Sequence, residues 1–187
     1  MTSFLPRSVA LLLFFYALAP FSVSAAQTTP QAVAPSTQIP AVNANTLAGD
    51  PVHLPTDLHG KAAILVLGFG KGARGQIRDW GKRLADTYVS SPTILFYEMP
   101  VVASVPRFLR GLVMKQIASE LPEPSKHHFI PISDSESHWR ALAQVKDPDR
   151  AYILVVDGAG TVQWSTSGAL TDAAFADVRA HIPASHK

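Results

Sequence analysis

Eight consecutive residues without a polar side chain, Ala62–Phe69, restrict this chain more than any other stretch. The run is short for a helix and rich in Ile, Leu and Val, which is the pattern of a strand covered on both faces. Gly60-Lys61 leads into it and a glycine-containing loop, Gly70–Gly75, follows. Beyond the loop, Ile77, Trp80, Gly81, Leu84, Ala85 and Tyr88 recur at helical spacing, so Gln76–Tyr88 is predicted to be a helix with one apolar stripe. Arg78, Asp79, Lys82, Arg83 and Asp86 take its water side. Ser90-Ser91-Pro92 stops the helix, and Thr93–Met99 is a second apolar run. Ala62–Met99 is therefore read as a βαβ unit, expected to cross over right-handed.

The remaining elements extend the same architecture. Asn45–Gly60 alternates loosely around the turn Ala48-Gly49-Asp50-Pro51 and reads as a short edge hairpin. Pro106 suits the first turn of a helix that runs to Leu121, ended by Leu121-Pro122-Glu123-Pro124. His127–Ser133 is expected as a third strand. Ser135 or Ser137 would cap a short helix carrying Trp139, Leu142 and Val145. Tyr152–Val156 is a fourth buried strand. Asp157-Gly158-Ala159-Gly160 supplies the turn, and Thr161–Thr166 returns antiparallel. Thr171 caps a last helix whose Phe175, Val178 and Ile182 face inward, closed by Pro183. A buried strand needs cover on both faces, so this order predicts a three-layer α/β/α sandwich around a central mixed sheet.

The two ends read differently. Within Met1–Ala26 the single charge is Arg7, followed by the apolar stretch Val9–Ala19, Pro20 and the small residues Val23-Ser24-Ala25. This is the layout of a cleaved secretory signal, with an uncleaved anchor as the alternative, and it predicts a secreted or periplasmic protein. Residues 27–45, rich in Pro, Ala, Thr and Gln and without charge, are expected to form a flexible tether. The domain is then 46–183, with a short tail at 184–187. The 187 residues carry a formal charge of only +2, which argues against nucleic-acid binding by bulk electrostatics. The chain has no cysteine, which excludes a disulfide and any thiolate chemistry.

The order of elements from Leu47 to Ile182 resembles the thioredoxin-like fold. Asp57-Leu58-His59-Gly60-Lys61 with its apolar strand, and Val155-Val156-Asp157 with Gly160, are similar to the extracytoplasmic thiol–disulfide and peroxiredoxin branch. Tyr97-Glu98, the helix Phe108–Leu121, Ala151–Asp157 and Val162-Gln163-Trp164 up to Gly168 resemble the assembly factors for the membrane sector of mitochondrial F-type ATP synthase. The resemblance implies a Cys-x-x-Cys at Arg74-Gly75-Gln76-Ile77 and a cis proline at Ala151, and neither is present. Thiol exchange needs a low-pKa thiolate and a resolving thiol, so the implied function is binding or assembly without redox activity.

Several residues are candidates for that function. The basic helix comes first: Phe108, Leu112 and Ile117 are expected to pack on the sheet and leave Arg107, Arg110 and Lys115 to meet a membrane surface, a membrane complex or an acidic protein. The alternative is an enzyme or anion-binding protein using non-thiol chemistry at residues 70–76, with Lys71, Gly72, Arg74 and Gly75 around a helix N-terminus. His127, His128 and His138 have no metal-ligand spacing, and Ser133, Asp134 and His138 lack a nucleophile elbow. No catalytic residue, metal or cofactor is assigned. Trp80, Trp139 and Trp164 are read as packing residues.

Overall fold

The computed structural model describes residues 37–183. At the centre of a four-stranded sheet lies β3 (Ala62–Gly68). Strand β4 (Ile94–Pro100) runs parallel to β3 from Ala62↔Ile94 to Gly68↔Pro100. Strand β5 (Ala151–Val156) lies antiparallel on the other side of β3, and β6 (Val162–Ser167) antiparallel beyond it, which gives the order β4-β3-β5-β6. Every residue of β3 and β5 is buried. The continuous apolar runs follow from this, since each strand has a neighbour on both edges and cover on both faces.

Alternate residues of β3 and β5 enter two separate cores. On one face Ile64, Val66, Ile153 and Val155 meet Ile77, Trp80 and Leu84 of α1 (Arg74–Tyr88) and Phe175 and Val178 of a helix near the C-terminus (Asp172–Ala180). Trp80 is wholly buried, and its indole N–H donates to the Gly168 carbonyl at 3.0 Å. The Thr171 hydroxyl accepts from the Ala174 N–H at 3.0 Å and caps the C-terminal helix, as its position in the sequence predicts. On the other face Leu65, Leu67, Tyr152 and Leu154 meet Trp139, Ile130 and Leu58. Burying a side chain of this size contributes about 1.5–3 kcal/mol, so the two faces carry most of the folding free energy.

Residues 37–45 belong to the fold instead of forming the tail of a tether. Strand β1 (Val42–Asn45) pairs antiparallel with β2 (Pro51–Leu54), Val42 opposite Leu54. Thr37 and Ile39 make backbone hydrogen bonds to Val162 and Gly160, and Ile39 is 3% exposed. Two apolar anchors, Ile39 and Val42, hold a stretch whose overall composition is that of a spacer. The leader, residues 27–36 and the tail at 184–187 lie outside the described residues.

Two further boundaries differ from those expected. Lys71–Ala73 is one 3-10 turn that runs straight into α1, so the helix starts at Arg74 and the loop contracts. The strand expected at His127–Ser133 is a broken parallel ladder on β4, with bridges at Glu98↔Phe129 and Val101↔Ile132. Proline has no N–H to give, and Pro100 and Pro131 interrupt the ladder. Between β4 and this ladder lie two helices, α2 (Arg107–Glu120) and α3 (Glu123–Lys126), and α4 (Glu136–Leu142) follows the ladder. The C-terminal helix is α5. No helix among the described residues is long and apolar enough to cross a membrane.

Candidate functional site

At the ends of β3 and β4, where α1 begins, the segment Arg74-Gly75-Gln76-Ile77 has a packing role. Ile77 is 4% exposed and lies so close over Gly68 that a Cβ there would meet its Cδ1 at 2.2 Å. Gln76 turns toward β5, and its side-chain carbonyl accepts the Ala151 N–H at 3.0 Å. The Arg150–Ala151 bond is trans, as expected for a non-proline; the only cis bond among the described residues is Leu54–Pro55. Alanine at 151 brings an N–H that a proline would lack, and Gln76 satisfies it.

The loop of the anion-binding reading is met by a carboxylate of the chain itself. Asp149 accepts the Gly72 N–H at 2.9 Å, and a Cβ on either Gly70 or Gly72 would collide with the Pro148–Asp149 segment. Lys71 and Arg74 are exposed beside this contact, and Gly75 is half-buried with open space at its Cβ position. Helix α1 has no side-chain N-cap, so Asp149 supplies from a distant loop the negative partner that its first turn lacks.

Helix α2 corrects the expected orientation of the basic helix. None of its residues is buried; Phe108 is 84% exposed and Leu112 66%. Ile117 faces the sheet end as expected, but Leu109 and Val113, one step round the helix, line the cavity in place of Phe108 and Leu112. Its apolar residues occupy two adjacent faces, so sequence periodicity leaves the phase open by one position. Arg107 and Lys115 are exposed as expected. Arg110 is half-buried, donating from Nε to the Val105 carbonyl at 2.8 Å and from Nη2 to the Ala103 carbonyl at 2.9 Å. It fastens the loop before α2 and is not a free cation.

Between the inner face of α2 and the sheet end lies a cavity of about 490 Å³. Phe69, Ile77, Val101, Val113, Ile117 and Phe129 form its apolar wall, and Lys71, Arg74 and Arg78 reach it from the α1 side. Glu98, from the middle of β4, also lines it. Its side chain is 4% exposed and, among the described residues, has no hydrogen-bond or ion-pair partner. Its carboxyl lies against the backbone of Gly81, where a Cβ would stand 2.1 Å from Oε1. Desolvation pushes this carboxyl up to about 8, so it is mostly neutral at pH 7.

Periodicity and motif spacing did not single out Gln76, Asp149 or Glu98 as site residues. A lone acid inside the apolar run Thr93–Met99, and a glycine on the buried stripe of α1, were the signals for the last. The histidines do not converge on one point: His127 and His128 have separate partners, and among the described residues the buried Nε2 of His138 has none. His127 Nδ1 lies 2.7 Å from Asp50, and this hydrogen bond lowers the Asp50 pKa. The His128 ring stacks on Phe96 at 4.1 Å, and its burial lowers its pKa. Among the described residues no three His, Cys, Asp or Glu side chains are grouped to hold a metal.

No family model matches the sequence, and no curated protein matches it either. Solved structures do match in fold. A putative thiol:disulfide interchange protein DsbE from Chlorobium tepidum is 14% identical, with a TM-score of 0.56 over 80% of this chain and 98% of that one. The thioredoxin domain of a thiol-disulfide oxidoreductase from Bacteroides vulgatus is 20% identical, with a TM-score of 0.53 over 81% and 99%. The pneumococcal exposed lipoprotein thioredoxin from Streptococcus pneumoniae is 11% identical, with a TM-score of 0.53 over 75% and 99%. At these identities the likeness speaks for the fold alone: this chain is a thioredoxin-like α/β protein without a cysteine.

Proposed function

We propose that the protein is an exported, redox-inactive binding or assembly module that engages a membrane complex, or the bilayer around it, through the outer face of α2. The observation that carries this reading is the exposure of Phe108 and Leu112 on a helix that buries none of its own residues. Large apolar side chains left in water on consecutive turns gain about 1.5–3 kcal/mol each when covered. Arg107 and Lys115 are exposed on the same helix, and each basic residue near an anionic surface adds about 1 kcal/mol. Export is supported by the Arg7-led apolar leader, and an assembly role by the resemblance of 97–168 to the ATP synthase assembly factors. The other reading, chemistry or anion capture at 70–76, competes with Asp149 for the Gly72 N–H.

Flotation with vesicles containing anionic lipid tests the proposal. The wild-type domain is expected to float, less so at high salt. Phe108→Glu/Leu112→Glu is expected to stay in solution with unchanged stability, since both side chains are already exposed. Equal behaviour of the two proteins, with vesicles and with detergent-solubilised membrane complexes, would make α2 a cover for the sheet and nothing more.

A further inference from the structure

We propose that the cavity under α2 binds a single-chain amphiphile with an anionic head group, its chain against Val113, Ile117 and Phe129 and its head at Lys71, Arg74 and Arg78. This goes beyond the docking proposed for α2, because it uses the inner face of the helix and not Phe108 or Leu112. The cavity volume, about 490 Å³, falls within the range of about 300–1,000 Å³ usual for small-molecule sites. The wall is apolar over the faces contributed by β3, α2 and the 129 segment, which suits a hydrocarbon chain.

Charge selects the head group. Lys71, Arg74 and Arg78 are all exposed at the cavity and, among the described residues, none has a carboxylate partner. Lys71 lies just before α1, and Arg74 and Arg78 stand four residues apart within it, so the three lie along one side. Glu120 is the one acid reaching the rim from α2. Asp149, which accepts the Gly72 N–H, is not among the lining residues. The other acid that lines the cavity is Glu98, whose deep position, without a partner among the described residues, keeps it mostly protonated at neutral pH. It therefore adds little negative charge against an incoming anion, and its hydroxyl is free to donate a hydrogen bond into the cavity. A cationic amphiphile would meet three like charges at the entrance.

Calorimetric titration of the full chain with dodecanoate below its micelle concentration tests this. Dodecanol, dodecyltrimethylammonium and inorganic phosphate serve as comparisons. Dodecanoate is expected to bind saturably at one site, at least tenfold tighter than either other chain, with phosphate alone silent. Arg74→Glu/Arg78→Glu is expected to weaken dodecanoate at least tenfold. Both positions are exposed, and a carboxylate in the first turn of α1 favours that helix. Val113→Trp, which fills the cavity from its half-buried side, is expected to abolish binding while the urea midpoint stays near that of the wild type. Absence of saturable binding overturns the proposal. So does equal affinity for the anionic and cationic chains, or wild-type affinity in a folded Val113→Trp protein. Loss of flotation in Phe108→Glu/Leu112→Glu with dodecanoate binding intact would separate this site from the docking face.

Discussion

At the scale of single residues, Glu98 is the side chain whose state depends most on the fold. Its ordinary pKa of 4.5 rises to about 8 through burial, so the folded state holds its proton more tightly than the unfolded chain does. Where the folded state binds more protons, stability falls as pH rises. The contribution is fully favourable below about pH 4.5, declines between about 4.5 and 8, and is constant above that. At about 1.4 kcal/mol per unit the loss is on the order of a few kcal/mol. Urea midpoints of the wild type are expected to drop across this window relative to those of Glu98→Gln, which lacks this titration, keeps the rise with pH that the lowered pKa of His128 contributes, and is the more stable protein at pH 9. A wild-type profile that runs parallel to that of Glu98→Gln from pH 5 to 9 would show Glu98 to be ionised in the fold. Gly81 belongs to the same contact. Alanine within a helix normally gains up to about 1 kcal/mol over glycine. At Gly81 its Cβ would meet Glu98 Oε1 at 2.1 Å, so Gly81→Ala is expected to lower the thermal midpoint.

Among the elements, α1 and α2 differ in what holds them. Helix α1 is fixed by Ile77, Trp80 and Leu84 in one core, by Gln76 on Ala151 and by Asp149 at its start. Helix α2 rests on a cavity, tied at its entry by Arg110 to the Ala103 and Val105 carbonyls. This difference bears on any attempt to restore thiol chemistry. The double change Arg74→Cys/Ile77→Cys would replace a buried core residue and leave Ala151 without its proline. A resolving thiol at position 77 would be enclosed beneath Gly68, and insulin reduction is expected to stay near the buffer rate. The unmodified protein should give only that rate, because it contains no thiol. Efficient turnover by the double variant would mean that access at position 77 and the proline both matter less than the thiols themselves.

For the whole molecule, the continuous apolar runs at 62–69 and 152–156 and the stripe from Ile77 to Tyr88 determined the sandwich. Period and length suffice to identify doubly covered strands and a helix lying over them. The absence of cysteine likewise rules out thiol chemistry whatever the fold. Local pattern was insufficient wherever one element had to choose among neighbours. The phase of α2 depended on which of two adjacent apolar faces the sheet end would accept, and Phe108 and Leu112 fell outside. Residues 37–45 read as a spacer because their composition hides a hairpin strand whose partner ends at Leu54, and because Thr37 and Ile39 find theirs around Gly160, far along the chain. Asp149 reaches Gly72 and Gln76 reaches Ala151 across more than seventy positions, and no periodicity encodes such a meeting. Glu98 was visible as an acid in an apolar strand, but its protonation depended on the helix packed over it and on the lack, among the described residues, of a partner for its carboxyl. Hydrophobic period is a property of consecutive residues, and so the sequence determined the layers. Desolvation and long-range hydrogen bonds are properties of what the folded chain brings together, and so the tertiary structure alone decided the site.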